Sequence, residues 1–462
     1  MIGVQAAVAR FFYDFCLDDH VPADHQLRGI DRHLVLDDVR NGLKPFYSNT
    51  GRPSIDPELM IRMLLIGYCM GIRSERRLCE EVHLNLAYRW FCRLGLDGKV
   101  PDHSTFSKNR HGRFRESNVL RHLFETVVAR CMAEGLVSAE GFAVDASLIP
   151  ADASKQHAVP SRDWKPQEVT EEACRATREY LATLDDAAFG AATQVTPKFI
   201  SLSDPAAQWT AALKGPAFFA YSTNYLIDTD HGVIVDVEAT RSIRQAEVGA
   251  AQTMLDRTED RFGLKPGYLT ADTAYGTAQN LAWLVKQKQI TPHIPVCDKS
   301  TRTDGTFSRA DFTFDAEAKR YTCPAGKHLI QFRRAYTKPR TGVTAEGTRV
   351  YLGSTKDCGI CHLKARCCPN TPARKIPRDV DEDSRDVARA LATTPEFKVA
   401  CRRRKKVEML FAHLKRILRL GRLRLRGPCG AKDEFLLAAT AQNLRRLARL
   451  RPAMPPMEAV AA

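Results

Sequence analysis

The sequence lacks any apolar run long enough to cross a bilayer. Its longest apolar run, MLLIGYCMGI, covers residues 63–72, which is about half of the roughly 20 residues that a membrane-spanning helix needs. The first twenty residues also lack the uninterrupted apolar segment of a secretory signal, because Arg10 and several acids fall within them. We therefore expect a soluble, intracellular protein without a membrane partner.

Two phosphate-binding signatures are also missing. Neither a GxxxxGK[ST] loop nor a GxGxxG turn occurs in the chain, and nucleotide-hydrolysing and dinucleotide-binding domains use these sequences to hold phosphate groups. We therefore expect no nucleotide cofactor and no reaction driven by nucleotide hydrolysis.

Positive charge, by contrast, is plentiful. The chain has 462 residues, of which 44% are hydrophobic and 27% are charged, and its formal net charge is +15. This composition is that of a globular protein with more than one domain, and it excludes disordered and fibrous classes. The net charge favours a polyanionic partner such as nucleic acid or an acidic membrane surface. Charge alone does not choose between these two partners.

The hydrophobic patterns predict an α/β protein that begins with helices. Helix-start signals occur at Asp56 with Pro57, at Ser74 and at Thr394 with Pro395, and one helical stretch is expected over residues 74–96. Strands expected at residues 218–228 and 232–240 are joined by a turn. Short strands alternate with helices after Gly141, which predicts a mixed sheet flanked by helices. The predicted regions are a helical N-terminal domain (1–135), the first part of the core (136–297) with an insertion (150–213), a hairpin and cysteine-cluster insertion (298–378), a C-terminal helical part of the core (379–450) and a disordered tail (451–462).

Two predicted strands end in an acid. GFAVDAS carries Asp145 directly after the apolar residues 141–144, and GYLTADTAYGT carries Asp272 directly after GYLTA. In open sheets, ligands bind at the edge where such strands end. Two carboxylates at one edge repel each other unless a cation lies between them, and oxygen ligands suit Mg²⁺ or Mn²⁺. The pattern therefore predicts a metal site that contains Asp145 and Asp272.

A third acid lies on a predicted helix in the C-terminal part of the sequence. In RRRKKVEMLFAHLKRIL, a rotation of about 100° per residue places Arg404, Glu408 and Lys415 within about 40° of one another. We expect Glu408 to complete a site for a pair of metal ions, with Arg404 and Lys415 contacting phosphate oxygens. The adjoining apolar stripe, which we expect to be buried, consists of Val407, Leu410, Phe411, Leu414, Ile417 and Leu418.

Each acid taken alone has a more ordinary, structural interpretation. An aspartate at a strand end usually forms a turn or caps a helix, and a glutamate among basic residues usually forms a surface ion pair. We apply this structural interpretation to Asp152, Asp228 and Asp236. We also interpret His103 as a hydrogen-bonded residue near a helix start rather than as a catalyst.

Most of the excess positive charge lies near Glu408. Residues 402–451 contain sixteen lysines and arginines but three acids, so thirteen of the fifteen net positive charges are local. Such a run is often only a solvated face, but beside a metal site it favours phosphate contacts, which position DNA without reading its sequence. The last three arginines of the set alternate along the chain, so on an extended segment they would face one side. The predicted DNA-binding residues are Arg402, Arg403, Arg404, Lys405, Lys406, Lys415, Arg422, Arg424 and Arg426.

Four of the fourteen cysteines have spacing that suits a metal. In a reducing compartment, clustered cysteines are metal ligands more often than disulfides. Four thiolates close a tetrahedral Zn²⁺ site, and a CxxC pair supplies two ligands from one turn. His362 and Cys368 are possible substitutes, and the alternative is a set of buried thiols. The candidate zinc ligands are Cys323, Cys358, Cys361 and Cys367.

Several of these segments together resemble a known family. VDAS around Asp145, LTADTAYG around Asp272 and the RxxxExxFxxxK pattern of residues 404–415 resemble the DDE transposases of bacterial insertion sequences, in the IS4/IS5-like group and most like the IS1182 family. GRPSIDPELMIRMLLIGY and DHSTFSKNRHGRF resemble the N-terminal region of that family. The resemblance covers most of the chain.

The resemblance implies an RNase H-like catalytic core and an acidic triad of Asp145, Asp272 and Glu408. Arg404 and Lys415 match two positions of the family's Tyr-Arg-Glu-Lys signature, but Cys401 occupies the tyrosine position. The family also implies a homodimer that holds two DNA ends, in the bacterial cytoplasm and on the nucleoid when bound. We expect the N-terminal helices to recognise the element ends.

The predicted function is therefore DNA transposition. Two metal ions about 4 Å apart would activate water to cut at the element ends and would stabilise the leaving oxygen, and the freed 3′-hydroxyl would then attack target DNA. Two alternatives are a noncatalytic DNA-binding protein, either inactivated or repurposed, and a stand-alone RNase H-like nuclease. Strand transfer distinguishes a transposase from the nuclease.

Overall fold

A computed structural model describes most of the chain. The described residues are 15–48, 50, 54–165, 174–182, 197–211, 215–297, 304–332, 341–345 and 347–451. The predicted disordered tail, residues 451–462, lies outside them except for Arg451. The chain divides into two units, of which the first comprises Met1–Ala139, Val144–Leu264 and Lys405–Ala462 and the second comprises Glu140–Ala143 and Lys265–Arg404.

The helices follow one another in chain order. They are α1 (Leu17–His20), α2 (Gln26–His33), α3 (Val39–Leu43), α4 (Pro57–Cys69), α5 (Glu75–Leu84), α6 (Leu86–Phe91), α7 (Ser104–His111), α8 (Arg113–Glu116), α9 (Val119–Ala133), α10 (Arg175–Ala182), α11 (Arg244–Phe262), α12 (Ala278–Ala282), α13 (Thr355–Gly359), α14 (Lys364–Cys367), α15 (Glu382–Leu391), α16 (Pro395–Arg416) and α17 (Gly427–Leu450).

The strands are mostly short. They are β1 (Gly141–Pro150), β2 (Ala158–Pro160), β3 (Phe199–Ser201), β4 (Gln208–Ala211), β5 (Ala217–Asp228), β6 (Ile234–Arg241), β7 (Tyr268–Thr270), β8 (Thr291–His293), β9 (Thr313–Asp315), β10 (Arg320–Thr322), β11 (His328–Ile330), β12 (Thr348–Leu352) and β13 (Lys375–Asp379).

Local capping residues start the N-terminal helices of the first unit. The Asp56 carboxylate accepts a hydrogen bond from the Glu58 backbone at 2.9 Å, and Pro57 occupies the first turn of α4, so both predicted signals are confirmed. Ser74 caps α5 as predicted. The continuous helix expected after Ser74 is wrong, because Asn85 has an extended backbone and caps a new helix, α6.

Helix α17 is the centre of the first unit. It is buried along most of its length and packs against α2, α4, α9, α10 and β6. The buried Asn443 amide accepts from the Ile234 backbone N–H at 2.9 Å and donates to the Ile234 carbonyl at 2.8 Å. Because an unpaired amide in a core is costly, this two-point contact fixes α17 on the end of β6.

Strand β5 organises the sheet of the first unit. Residues 217–220 of β5 pair antiparallel with β4, and residues 221–227 pair antiparallel with β6. The predicted turn between β5 and β6 is confirmed. The Asp228 carboxylate accepts from the backbone of Asp230 at 3.0 Å and of His231 at 2.6 Å, and Gly232 takes a φ of +64°, which suits glycine. Asp228 therefore has the structural role expected of it.

Strand β1 contributes residues to both units and is longer than predicted. It continues to Pro150, so the expectation that it ends at Asp145 is wrong. In the second unit, Gly141 pairs with Tyr268 in parallel, and β7 pairs in parallel with β8. A Cβ atom at Gly141 would lie 2.0 Å from the Tyr268 ring, so only glycine allows this approach. Together, the parallel and antiparallel pairs confirm a mixed sheet with helices.

The second unit also contains a five-stranded antiparallel sheet in the order β13-β12-β11-β10-β9. The predicted hairpin is confirmed by β9 and β10, in which Arg320 pairs with Asp315. The wider sheet was not predicted, because strands of three to five residues show too little alternation to be recognised. The core of this sheet consists of Phe312, Tyr321, Leu329, Tyr351, Ile376, Cys367 and Cys368.

No helix among the described residues is both long enough and apolar enough to span a membrane.

Candidate active site and basic surface

Asp145 lies within β1, directly after four buried residues, and is partly buried itself. One of its carboxylate oxygens accepts a hydrogen bond from the Ala146 backbone at 2.8 Å. This hydrogen bond fixes the orientation of the carboxyl group.

Asp272 follows β7 and begins a short 3₁₀ turn. Its backbone is extended, with a φ of −80° and a ψ of 177°, and its carboxylate accepts from the Ala274 backbone at 2.8 Å. The chain after this turn packs tightly, since a Cβ atom at Gly276 would lie 1.9 Å from the Pro295 carbonyl. Asp272 is therefore held in place by its own cap and by the glycine contact that follows.

Asp145 and Asp272 follow paired strand residues by the same number of positions. Ala143 pairs with Thr270 in the parallel ladder of the second unit. Asp145 is the second residue after Ala143, and Asp272 is the second residue after Thr270.

Glu408 lies on α16, which starts as predicted. The Thr394 hydroxyl caps the helix by accepting from the Phe397 backbone at 3.2 Å. Within the first unit, the Phe411 ring stacks on Tyr225 with the ring centres 4.9 Å apart. The predicted stripe is buried at Val407, Leu410, Phe411, Leu414 and Leu418.

One residue of that stripe was assigned wrongly. Ile417 is 49% exposed, because α16 ends at Arg416 and the helical rotation stops there.

The charged candidate residues of α16 differ in exposure. Glu408 is exposed, Arg404 is partly buried four residues earlier, and Lys415 is largely exposed. Partial desolvation nevertheless lowers the pKa of Lys415.

Several of the predicted DNA-binding cations contact protein groups. Arg403 donates to the Tyr268 hydroxyl at 3.2 Å and pairs with Glu140 at 3.3 Å. Lys406 donates to the Asp230 carbonyl at 2.7 Å. Arg402 and Lys405 are exposed. Burial raises the pKa of Cys401, which occupies the position of the family tyrosine.

The arginine segment, residues 417–426, connects α16 and α17 without regular structure. Its arginines Arg422, Arg424 and Arg426 are exposed, while Leu423 between the first two is buried. Arg422 and Arg426 pair with Asp152 at 2.9 and 2.8 Å.

Sequence reasoning missed two buried acids that fix this segment. The Glu434 carboxylate accepts from the backbones of Arg424 and Leu425 at 2.6 and 2.7 Å and pairs with Arg73. Asp204 accepts from the Gly427 backbone at 3.0 Å. These acids have no distinctive sequence context, so only the folded arrangement reveals their role.

Asp204 is fully buried, and it also accepts from the Tyr221 hydroxyl at 2.6 Å. Burial raises the pKa of Asp204 to about 6.

Three further residues interpreted as structural have contacts within the protein. Asp236 forms neither a turn nor a helix cap, since it is buried within β6 and pairs with Arg121 at 2.5 Å and with Arg257 at 2.7 Å. Asp152 holds the two arginines of the arginine segment. His103 lies at the start of α7 with its ring 3.4 Å from the Asp102 carboxylate.

The predicted zinc ligands share one place in the second unit. Cys323, Cys358, Cys361 and Cys367 line a single cavity of about 30 Å³ together with Cys368. Burial raises the pKa of Cys367 to about 12 and also raises that of Cys368. Within the part of the chain that the structure describes, no group of three or more His, Cys, Asp or Glu side chains has the arrangement of a metal site.

Two segments of the chain match known protein families. A transposase domain family (DUF772) matches residues 15–112, and a transposase DDE domain family matches residues 322–448. These matches indicate a DDE transposase. The DDE match contains Glu408 and the cysteine cavity, whereas Asp145 and Asp272 lie between the two matched segments.

A solved structure with some likeness to this chain is described as the "Cryo-EM structure of piggyBac transposase synaptic complex with hairpin DNA". The two chains are 8% identical, and the alignment covers 94% of this chain and 83% of that one, with a TM-score of 0.33. A score this low carries no argument about this chain.

Proposed function

We propose that this chain is a DNA transposase of the IS1182-like type that cuts DNA at the ends of its element and joins those ends to target DNA. Asp145, Asp272 and Glu408 form its acidic centre, which binds two Mg²⁺ or Mn²⁺ ions. The core that carries them is RNase H-like.

The strand register is the observation that carries this proposal. Neighbouring parallel strands keep a common register. Asp145 and Asp272 each follow a paired residue, Ala143 and Thr270, by two positions. The equal spacing of the two acids from one parallel ladder supports a common role for them.

The position of Glu408 on α16 supports it as the third carboxylate of the acidic centre. Its neighbours Val407 and Phe411 are buried, so the helix is fixed by its apolar face while Glu408 remains exposed. Arg404 precedes it by one helical turn, a position from which a guanidinium group meets phosphate oxygens.

The donor set fits a hard divalent cation. All three side chains are carboxylates, and Asp145 and Asp272 each have one oxygen bonded to a local backbone N–H group, which orients the carboxyl group. Bound Mg²⁺ or Mn²⁺ supplies activation of the attacking oxygen and stabilisation of the leaving oxygen. The chain itself supplies the orientation of the three carboxylates and the cations that hold the phosphate backbone.

The remaining parts of the chain divide the DNA contacts. The arginine segment and the exposed cations of α16 follow the phosphate backbone, which positions the DNA without reading its sequence. The N-terminal helices recognise the element ends, and a homodimer holds the two ends together.

A joining reaction tests the acidic centre. The substrate is the DNA that flanks the coding region, where a mobile element carries inverted repeats, and the reaction contains Mg²⁺. Asp145→Asn, Asp272→Asn and Glu408→Gln should each lower cutting by at least about 10³-fold while leaving DNA binding intact, because charge stabilisation at the metal centre is lost. Asp260→Asn, which changes an exposed carboxylate on α11, is the matched control and should keep full activity.

The products separate the alternative functions. Cutting and joining support transposition, whereas cutting without joining identifies a stand-alone nuclease. Binding without either reaction identifies a noncatalytic DNA-binding protein. Cutting that persists at the wild-type rate in Asp145→Asn removes that residue from the centre.

A further inference from the structure

The cysteine cavity of the second unit has walls of unusual composition. All of its sulfur-bearing wall residues come from two short segments, one after β10 and one between β12 and β13. They are Cys323, Cys358, Cys361, Cys367 and Cys368. Five thiols around about 30 Å³ of space make this the densest group of soft ligands in the described residues.

The first thiol is presented by a tight turn. Cys323 follows β10, and the Lys327 backbone N–H donates to its sulfur at 3.3 Å. The Cys323 backbone also donates to the Lys327 carbonyl at 2.8 Å, and Gly326 takes a φ of +72°, which suits glycine. The turn therefore fixes the position of the Cys323 sulfur at the cavity wall.

The second segment presents the CxxC pair from a capped helix. Ser354 caps α13, and the Cys361 backbone donates to the Cys358 carbonyl at 3.4 Å, so one turn separates the two thiols. A Cβ atom at Gly353 would lie 3.0 Å from the Cys358 sulfur. The glycine therefore leaves room for this sulfur at the cavity wall.

Charge around the cavity suits an anionic metal centre. Lys327, Lys364 and Arg374 line it, while Asp357 is the single carboxylate among the lining residues. A divalent ion with four thiolates carries a net charge of −2, which nearby cations stabilise.

The sheet beside the cavity has a small buried core. Among the described residues, five apolar or aromatic side chains and two thiols form it, and Phe307, Phe314, Cys323 and Cys358 pack against it. Small cores are often reinforced by a metal or a disulfide. The lining thiols do not stand in metal-binding geometry. In small metal-dependent folds the site is completed only when the ion binds.

We propose that this cavity binds one Zn²⁺ through Cys323, Cys358, Cys361 and one thiol of the Cys367–Cys368 pair, and that the ion completes the core of the five-stranded sheet. Four thiolate ligands favour Zn²⁺ over the hard cations that carboxylates bind. The ion has a structural role and is separate from the carboxylate centre.

Metal content of the full chain tests this proposal. Protein purified under reducing conditions with Zn²⁺ in the growth medium should carry about one zinc ion per chain. Cys358→Ser, Cys361→Ser and the double variant Cys367→Ser/Cys368→Ser should each lose the ion. Cys401→Ser, which changes a partly buried thiol on α16, is the control and should retain it.

Two further measurements do not depend on the variants folding well. Wild-type protein loaded with Co²⁺ in place of zinc should show the intense visible absorption of a tetrahedral thiolate centre. Removal of the metal should increase the rate of proteolysis within residues 304–380. Wild-type protein that binds neither ion, or that keeps its zinc in Cys358→Ser and Cys361→Ser, would overturn the proposal. So would a disulfide between these thiols in the reduced preparation. None of these measurements requires DNA cleavage, so they stand or fall apart from the proposed function.

Discussion

The first unit and the five-stranded sheet of the second unit are stabilised in different ways. The first unit surrounds α17, whose buried face includes Phe435, Leu437 and Leu444. Among the described residues, the buried core of the sheet has seven side chains, of which two are thiols, and four partly buried side chains pack against it. Because stabilisation by burial grows with the apolar area removed from water, the first unit should be stable by packing while the sheet should depend on each of its few contacts.

Buried charge sharpens this difference. The first unit is large enough to hold charged groups away from water, provided that each is paired. Asp236 with Arg121 and Arg257 is one such group, and Glu434 with Arg73 is another. The sheet of the second unit buries two thiols in its core, and the buried Arg374 lies over Phe312 and donates to the Cys367 carbonyl.

The largest expected effect comes from breaking a buried pair in the first unit. Asp236→Ala leaves the buried Arg121 without its carboxylate, and the loss of one partner of such a pair costs about 3–5 kcal/mol. Urea unfolding should show this full decrease in the free energy of unfolding. Asp260→Ala changes an exposed acid on the neighbouring face of the same unit and should change stability little; equal losses in the two variants would refute the role of the pair.

A core truncation in the sheet should act locally. Leu329→Ala removes one of its few buried side chains and should cost the sheet about 2–4 kcal/mol. Hydrogen exchange should quicken in β10, β11 and β12 while the slow exchange of α17 stays unchanged. An equal increase in the hydrogen-exchange rate of α17 would mean that the sheet is not stabilised by its own contacts.

Asp204 gives the first unit a pH-dependent contribution to its stability. The folded pKa of Asp204 is raised to about 6 by burial, so its contribution to stability is fully present below the unfolded pKa, near 4, and is lost as pH rises through 6. Relative to Asp204→Asn, the wild type should lose roughly 2–3 kcal/mol between pH 4 and pH 6. Urea unfolding at intervals across this range measures the loss, and a constant difference between the two proteins would contradict it.

The smallest expected effect concerns DNA binding by the arginine segment. Arg422→Ala removes one exposed cation and should reduce the slope of log affinity against log salt concentration by about 1. Arg162→Ala, which changes an 86% exposed arginine elsewhere in the first unit, should leave the slope unchanged. Equal slopes for all three proteins would show that Arg422 does not contact phosphate.

Features set by neighbouring residues were predictable from the sequence. The helix starts at Asp56, Ser74 and Thr394 follow from side chains that cap the next turn. The strands β5 and β6 follow from long apolar segments separated by a turn at Asp228.

Features set by distant contacts were not predictable. Strand β1 continues beyond Asp145 because its length depends on pairing with other strands. The five-stranded sheet has strands too short to show a period. Asp204 and Glu434 lie far in sequence from Tyr221 and Arg73, the side chains that they contact.

The candidate site also has features that the sequence predicts and features that it does not. Chain order and local sequence single out Asp145, Asp272 and Glu408 as candidates, because an acid after an apolar run and a helical rotation are local properties. How distant residues meet depends on strand pairing and helix packing, which no local pattern contains. The stacking of Phe411 on Tyr225 is one contact of this kind.

Counting bound Mn²⁺ tests the acidic centre most directly. The measurement uses the full chain in complex with the DNA that flanks its coding region, and it compares the wild type with Asp145→Asn and Asp272→Asn. The account predicts two Mn²⁺ ions per wild-type chain and a loss of at least about tenfold in affinity in each variant. Unchanged Mn²⁺ binding in both variants would contradict the claim that these carboxylates share one metal centre.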